Sequence, residues 1–342
     1  MTISVGIAGA SGYSGGELIS LISTHPDFQI KHLAASSKVG SAVSSLHPHL
    51  AHLDLGVFQE TSAGALSECD LVFLALPHGA SAELAQQIAS NVKIVDLGAD
   101  FRLENSNDWS TYYKDAPTHA GTWTYGLSEI VGSEVIASSS RVANPGCYAT
   151  AIALGAMPML PFVDVTDLVV VAASGSSGAG RSANEKLLAT ELIGSVSSYK
   201  TGGVHQHTPE IEQTLRNATK QNVKISFTPL LAPMTRGIHA TITAKITKAI
   251  DSEVIWNHYF DYFKLSEFVT VLNKGQQPKT SSVLGSNQVQ IQTVVDSHAN
   301  RIVTTVVIDN LVKGAAGQAI QNANLMFGLN ANAGLEKIGL AP

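Results

Sequence analysis

The chain has 342 residues, enough for two domains. Its 27 Asp and Glu outnumber 21 Lys and Arg, and the net charge of −6 argues against a nucleic acid or an anionic membrane as partner. Hydrophobic residues make up 44% and charged residues 14%, which suits a large core such as a parallel sheet covered on both faces.

The run Ile3–Ala8 predicts a buried strand. Gly9-Ala10-Ser11-Gly12-Tyr13-Ser14-Gly15-Gly16 follows, and Glu17–His25 predicts a helix with Leu18, Ile19, Leu21 and Ile22 inward. Strand, glycine turn and helix form the context of a dinucleotide-binding turn. The glycines let the backbone approach a pyrophosphate, which the helix N-terminus then holds. Gly9, Ser11, Gly12, Tyr13 and Ser14 are therefore candidate cofactor contacts, although the spacing is G-x-x-G-x-x-G and not the commoner G-x-G-x-x-G. A second strand, Phe28–Ala35, ends in Ser36-Ser37-Lys38. NAD-preferring folds carry an acid near this point; two hydroxyls and a cation instead suit the 2′-phosphate of NADP, with an ordinary polar loop as the alternative.

The stretch from Cys69 to Gly79 predicts another buried strand, with Cys69 as packing and Pro77 in a loop at the cofactor crevice. A helix from Ala80 to Ser90 and a strand from Lys93 to Leu97 continue the alternation. Gly98-Ala99-Asp100-Phe101-Arg102 then brings Arg102 beyond a strand end as a candidate anion clamp, or else a surface loop arginine. Asn144-Pro145-Gly146 precedes Cys147 at the head of an Ala-rich helix from Tyr148 to Met157. Unpaired N–H groups and the helix dipole favour a thiolate there, and the thiolate is the nucleophile; a small buried packing residue is the alternative.

A strand from Leu168 to Ala173 leads into Ser174–Arg181, a small-residue loop whose N–H groups and Arg181 suit an anion, before a predicted helix from Ser182 to Val196. In the stretch Gly202–Glu210, Thr208 fits an N-cap and Pro209 an N1 residue of a helix reaching Thr219. His205 and His207 then stand just before a helix N-terminus, where the dipole disfavours imidazolium and keeps an imidazole available as a base. Neither this pair nor His47, His49 and His52 has cysteines or a carboxylate at ligand spacing, so no metal is expected. Arg236 enters a strand and is placed to reach a substrate anion. The segments Lys224–Pro229, Gly237–Thr247, Gln288–Val295 and Arg301–Ile308 predict an antiparallel sheet, with one face for helices and one for a partner, and Asp251–Leu265 an intervening helix. Gln276–Asn287 reads as a long loop. Lys313 starts a last helix, to Phe327, whose small residues allow packing back on the first domain.

Two cysteines cannot build a disulfide framework, so a reducing compartment is expected. No basic stretch precedes the first strand, so no signal peptide is expected. The longest apolar run, 149–163, carries Thr150, two prolines and a glycine and is too short to span a bilayer. These features point to a cytoplasmic protein with no membrane partner. The expected fold is α/β: a Rossmann-type parallel-sheet domain (1–146 plus 315–342) that binds NADP(H), and an α+β catalytic and oligomerisation domain (147–314) with a largely antiparallel sheet.

A nucleophilic cysteine beside a nicotinamide suits one chemistry: a thioester forms from an activated acyl group and hydride reduces it to an aldehyde. Arginines on small-residue loops suggest an acyl phosphate as substrate. Gly9–Gly15, Leu97–Arg102, Asn144–Thr150, Ser174–Arg181, His205–Ile211 and Asp309–Gly314 together resemble the N-acetyl-gamma-glutamyl-phosphate reductase family, in order along nearly the whole chain. The resemblance implies NADPH-dependent reduction of N-acetyl-glutamyl 5-phosphate to the 5-semialdehyde in arginine biosynthesis. It makes Cys147 the nucleophile and His207 the acid/base, with His205 second. It adds Gly178 and Asn310 to the cofactor contacts and Asn144 to the substrate contacts Arg102, Arg181 and Arg236. It also implies a homodimer or homotetramer. Three rivals stand: aspartate-semialdehyde dehydrogenase, a lysine-pathway aminoadipyl-phosphate reductase differing by about one methylene, and a non-catalytic NADP-binding redox sensor switching through Cys147.

Overall fold

Val5, Ile7, Val72, Phe73, Ile94 and Val95 are closed to solvent, as strands covered on both faces require. They belong to β1 (Ile3–Ala8), β3 (Leu71–Leu74) and β4 (Lys93–Asp96). With β2 (Phe28–Ala34), β5 (Thr124–Tyr125) and β6 (Arg141–Ala143) these make an all-parallel sheet of order β2-β1-β3-β4-β6-β5. The order reverses at β1, with β2 on one side and β3 on the other. In such a sheet the crevice beyond the carboxyl ends of β1 and β3 is where ligands bind. The structure is a computed structural model describing residues 2–116 and 118–341. It divides into a first unit, Met1–Pro145 with Ala315–Leu335, and a second, Gly146–Gly314 with Glu336–Pro342. Residues 336–342 thus group with the second unit, not with the first as the sequence suggests. The Leu340 N–H donates to the Leu284 carbonyl at 2.8 Å, and Lys337 pairs with Glu267 at 2.6 Å.

Helix α1 (Tyr13–Ser23) begins inside the glycine turn, earlier than the predicted Glu17. Its apolar face, Leu18, Ile19, Leu21 and Ile22, is buried as expected. His25 lies beyond the helix end and does separate work. Its Nδ1 accepts the Asp27 and Phe28 N–H groups, both at 3.1 Å, its ring stacks on Phe28 at 3.9 Å, and Nε2 bonds Asn324 Oδ1 at 3.0 Å. Burial holds this imidazole below its ordinary 6.5. Unfolding therefore takes up a proton at mildly acidic pH. The stability His25 contributes is complete above pH 6.5 and is lost as pH falls from there through the folded-state value. His25→Asn, which keeps an acceptor near the Nδ1 position, is expected to flatten part of the fall in thermal midpoint below about pH 6.5. An unchanged slope refutes this account.

The second unit holds β7 (Leu168–Ser174), β8 (Ser197–Ser198), β9 (Ile225–Leu231), β10 (Ile238–Lys245), β11 (Val269–Val271), β12 (Val289–Asp296) and β13 (Arg301–Ile308). Their order is β11-β12-β13-β10-β7-β9-β8. The pairs β7/β10, β10/β13 and β12/β13 are antiparallel, so the sheet is largely so. Two pairs, β7/β9 and β11/β12, run parallel, within a sheet that is largely antiparallel as expected. A parallel pair needs a crossover, and α4 (His207–Thr219) lies in the one between β7 and β9. On one face of the sheet rests α3 (Cys147–Ala156), whose Gly155 abuts Val306 and Ile242. α5 (Ser252–Phe263) packs on β12 and is capped by Asp251, which accepts the Glu253 and Val254 N–H groups at 2.9 and 2.8 Å. The opposite face carries Val169, Val171, Thr241 and Thr305, with Val169 and Val171 exposed.

The predicted helix Ser182–Val196 does not form. That stretch holds only short turns, Glu185–Leu187 and Ala189–Leu192. Leu188, Ile193 and Val196 are exposed, and helices of this length draw their stability from burying an apolar face. Lys313 likewise lies in a π-helical turn, Val312–Ala316, ahead of the last helix, Gly317–Met326.

Candidate active site

Cys147 is the first residue of α3, and Gly146 is its N-cap, with φ −71° and ψ 150°. The Thr150 N–H closes the first turn on the Gly146 carbonyl at 2.8 Å. The N–H groups of Cys147, Tyr148 and Ala149 have no acceptor within the helix and are the donors at the end that carries the thiol. The remainder of the helix, Tyr148 to Ala156, is buried, whereas Cys147 itself is half-buried.

The His207 ring lies against Gly146: a Cβ there would overlap the imidazole. Only glycine lets the imidazole come this close to the start of α3. On the other flank, a side chain at Gly314 would stand 2.7 Å from Cys147 Cβ. His207 is the first residue of α4, and one turn along that helix Glu210, 1% exposed, accepts the Gly146 N–H at 2.8 Å. Glu210 thus ties the cap of the cysteine helix to the helix that carries His207. The sequence offered one signal for it, an acid three residues after His207 on the same helical face.

The two histidines differ sharply. His205 is buried, and its Nδ1 accepts the His207 backbone N–H at 3.1 Å. It therefore caps α4, in place of the predicted Thr208; Thr208 and Pro209 fall inside the first turn behind Gln206. Burial, together with the nearby His207 and Lys200, pushes the His205 imidazole down to about 2. Around the pair stand Tyr148 and Tyr199, their hydroxyls 3.0 Å apart, with the Tyr148 hydroxyl donating to the Leu230 carbonyl at 3.2 Å. Burial raises both phenols, Tyr199 to about 12, so neither exchanges a proton readily at neutral pH.

Three residues expected to contact a ligand, Arg236, Asn310 and Asn144, also carry bonds within the protein. Arg236 forms an ion pair with the buried Asp309 at 3.1 Å, so its charge is already matched. Asn310 accepts the Gly237 N–H at 2.7 Å and donates to Ser177 Oγ at 3.0 Å. Asn144 donates to the Ala315 carbonyl and accepts from Asn322, both at 3.0 Å. Arg102 is buried in the loop six residues beyond β4, its Nε donating to the Asn144 carbonyl and its Nη2 to the Leu97 carbonyl, each at 2.7 Å. Arg181 and Gly178 lie exposed in the loop after β7.

In the first unit, Gly9 has φ +83° and its Cα sits against the Ala75 carbonyl, so the turn after β1 and the loop after β3 touch. A side chain at Gly9 would both strain the backbone and strike that carbonyl. Helix α2 (Ser81–Gln87) starts beyond this loop. Asp100 accepts the Gly79, Ser81 and Ala82 N–H groups at 2.8, 3.0 and 3.1 Å, which fixes the loop carrying Pro77. Ser36, Ser37 and Lys38 are exposed just after β2. Among the described residues, no group of three or more His, Cys, Asp and Glu is arranged to hold a metal ion, and no helix is long and apolar enough to cross a membrane.

Two family models match, described as the NAD binding domain of semialdehyde dehydrogenase over residues 4–138 and its dimerisation domain over 147–310. A protein named N-acetyl-gamma-glutamyl-phosphate reductase from Acidothermus cellulolyticus is 49% identical over 341 residues, covering 99% of both chains. One of the same name from Streptomyces avermitilis is 47% identical over the full length of both. Among solved structures, aspartate semialdehyde dehydrogenase II from Vibrio cholerae superposes with a TM-score of 0.71 at 16% identity, over 96% of this chain and 99% of that one. The Candida albicans enzyme with NADP gives 0.70 at 18% identity, with the same coverage. At that identity the solved structures establish the fold. At nearly half identity over the full length, the sequence relatives establish more: the chain belongs to the N-acetyl-gamma-glutamyl-phosphate reductase family.

Proposed function

We propose that the chain reduces N-acetyl-L-glutamyl 5-phosphate to N-acetyl-L-glutamate 5-semialdehyde with NADPH, releasing phosphate, as a step of arginine biosynthesis. The observation that carries the reading is Cys147 at the first residue of α3 with the His207 ring packed on its N-cap. Cys147 Sγ attacks the acyl carbon, phosphate leaves, and a thioester remains on the protein. The N–H groups of the first turn of α3 are the donors for the oxyanion. His207 takes the thiol proton and exchanges a proton with the substrate oxygen as the hemithioacetal forms and collapses. His205, neutral and engaged as a helix cap, orients His207 and is not the base. NADPH, when bound, supplies the hydride that reduces the thioester.

The first unit suits that cofactor. The glycine turn at Gly9 is closed to side chains and lies at the reversal of strand order, and Ser36, Ser37 and Lys38 are exposed where a 2′-phosphate would come. Ser11, Gly12, Tyr13, Ser14 and Pro77 complete the proposed cofactor contacts. Lys38→Ala is expected to weaken NADPH by about fivefold and NADH hardly at all, an exposed charge pair being worth about 1 kcal/mol. Equal losses for the two nucleotides, measured by titration, would count against a 2′-phosphate site. Arg181 and the pre-oriented Arg102 are the proposed anion contacts of the substrate. The open sheet face with Val169 and Val171 is the proposed contact of a cytoplasmic homodimer or homotetramer.

The test is the reverse reaction. Reduced nicotinamide should form from NADP only when both N-acetylglutamate 5-semialdehyde and phosphate are present. Activity instead with aminoadipate or aspartate semialdehyde keeps the chemistry and changes the pathway. Binding of NADP without turnover of any of the three favours the redox sensor.

A further inference from the structure

His47 has no part in the chemistry described above, and it is 2% exposed. Its Nε2 lies 3.0 Å from the carbonyl oxygen of Ala10, inside the glycine turn. A carbonyl only accepts, so Nε2 carries the proton and donates. The same ring fills the space beside Gly16, where a Cβ would overlap the imidazole. One side chain thus touches both the turn and the first helical turn behind it. The ring is itself held: the His47 N–H donates to the Val43 carbonyl at 2.9 Å, and Phe58 and His49 meet it edge-on at 6.1 and 6.0 Å. On the opposite side of the turn, the Gly9 and Ala10 N–H groups both donate to the Ala34 carbonyl of β2, at 3.0 and 2.9 Å. The Ala10 residue is therefore clamped through its N–H by β2 and through its carbonyl by His47. The Ser11 N–H lies in the same peptide plane as the Ala10 carbonyl, so this bond aims it, while the Gly12 N–H donates to the Gly9 carbonyl at 3.1 Å and closes the turn.

We propose that His47 is a positioning residue for the dinucleotide: by holding the Ala10 carbonyl it orients the turn that binds the pyrophosphate. The inference rests on the reading of Gly9–Gly15 as the cofactor turn. Its mark is a loss shared by both nucleotides, because NADPH and NADH carry the same pyrophosphate.

The experiment is titration of NADPH and NADH onto the full-length wild type, His47→Phe, His47→Asn and His47→Gln, with steady-state kinetics alongside. Phe keeps a ring but has no donor, Asn cannot reach Ala10, and Gln can place an amide N–H near the Nε2 position. Phe and Asn are expected to weaken both nucleotides by the same factor, about tenfold, and to raise KM for NADPH accordingly while moving kcat less than about threefold. Gln is expected to restore affinity to within about threefold of the wild type. A merely structural role would lower the thermal midpoint without a nucleotide-wide loss at 25 °C that Gln rescues. Wild-type affinity in Phe or Asn overturns the proposal, as does an equal loss in Gln. If Phe does not fold, the Asn and Gln pair decides. Should the wild type bind neither nucleotide, the cofactor-turn reading itself falls, which is a separate outcome.

Discussion

Cys147→Ser is expected to lower kcat by at least about 10³-fold while leaving the dissociation constant of NADPH within about twofold of the wild type. A serine hydroxyl is far less ionised and less nucleophilic than a thiol at neutral pH, so no acyl-enzyme accumulates. The substitution is almost isosteric, and serine is well tolerated in the first turn of a helix, so the Gly146 cap and the Glu210 bond survive. Two measurements check it. Turnover with acyl phosphate should vanish while NADPH titrates normally. Intact-mass analysis of the wild type given acyl phosphate without NADPH should show one added acyl group, absent in the variant. Acyl-phosphate reduction by Cys147→Ser at more than a tenth of the wild-type rate would sink the thioester mechanism.

His207→Asn is expected to cost about 10²–10⁴-fold in kcat, about 3–5 kcal/mol of transition-state stabilisation, because general acid–base help is lost while the thiol stays in place. His205→Asn serves as the control. It removes a helix cap and a packed ring, so it should lower the thermal midpoint by several degrees and reduce kcat by less than about tenfold. The reasoning is geometric first: the His207 imidazole lies on the glycine that precedes Cys147, whereas His205 points its Nδ1 at a backbone N–H. It is electrostatic second, since an imidazole held near 2 is a poor acceptor for a thiol proton at pH 7. A larger kcat loss in His205→Asn than in His207→Asn would reverse the assignment.

The parts of this protein that local sequence describes were legible; those made by distant partners were not. A strand, a glycine turn and a helix lie within the first 23 residues, and the physics that makes each is local, so β1 and α1 appear where expected, shifted by one turn. The placement of Cys147 at a helix start followed from Asn-Pro-Gly before it and an Ala-rich run after it. The helix predicted from Ser182 to Val196 failed because its composition permits a helix while nothing in the sequence says whether a face is buried. Arg236, expected to reach a substrate anion, is paired with Asp309, 73 residues away, which no local pattern shows. The bonds of Asn310 to Ser177 and of Asn144 to Asn322 likewise join positions far apart along the chain, beyond any local pattern. Glu210 shows the same limit. Its place in the motif was visible, yet its job was not, since the Gly146 N–H it holds lies 64 residues upstream.

That last bond limits what the site can recognise. Glu210 and His207 share one turn of one helix, and Glu210 grips the residue before the thiol, so the helix that carries the imidazole is tied to the start of the helix that carries the sulfur. A homologous substrate one methylene longer brings the same carbonyl to the same sulfur and imidazole, and the surplus length has to be housed by whatever grips the far end of the molecule. On the proposed contact of Arg181 with the substrate, swapping the exposed turn around it is expected to change the preferred chain length while leaving the chemistry of Cys147 and His207 as it is.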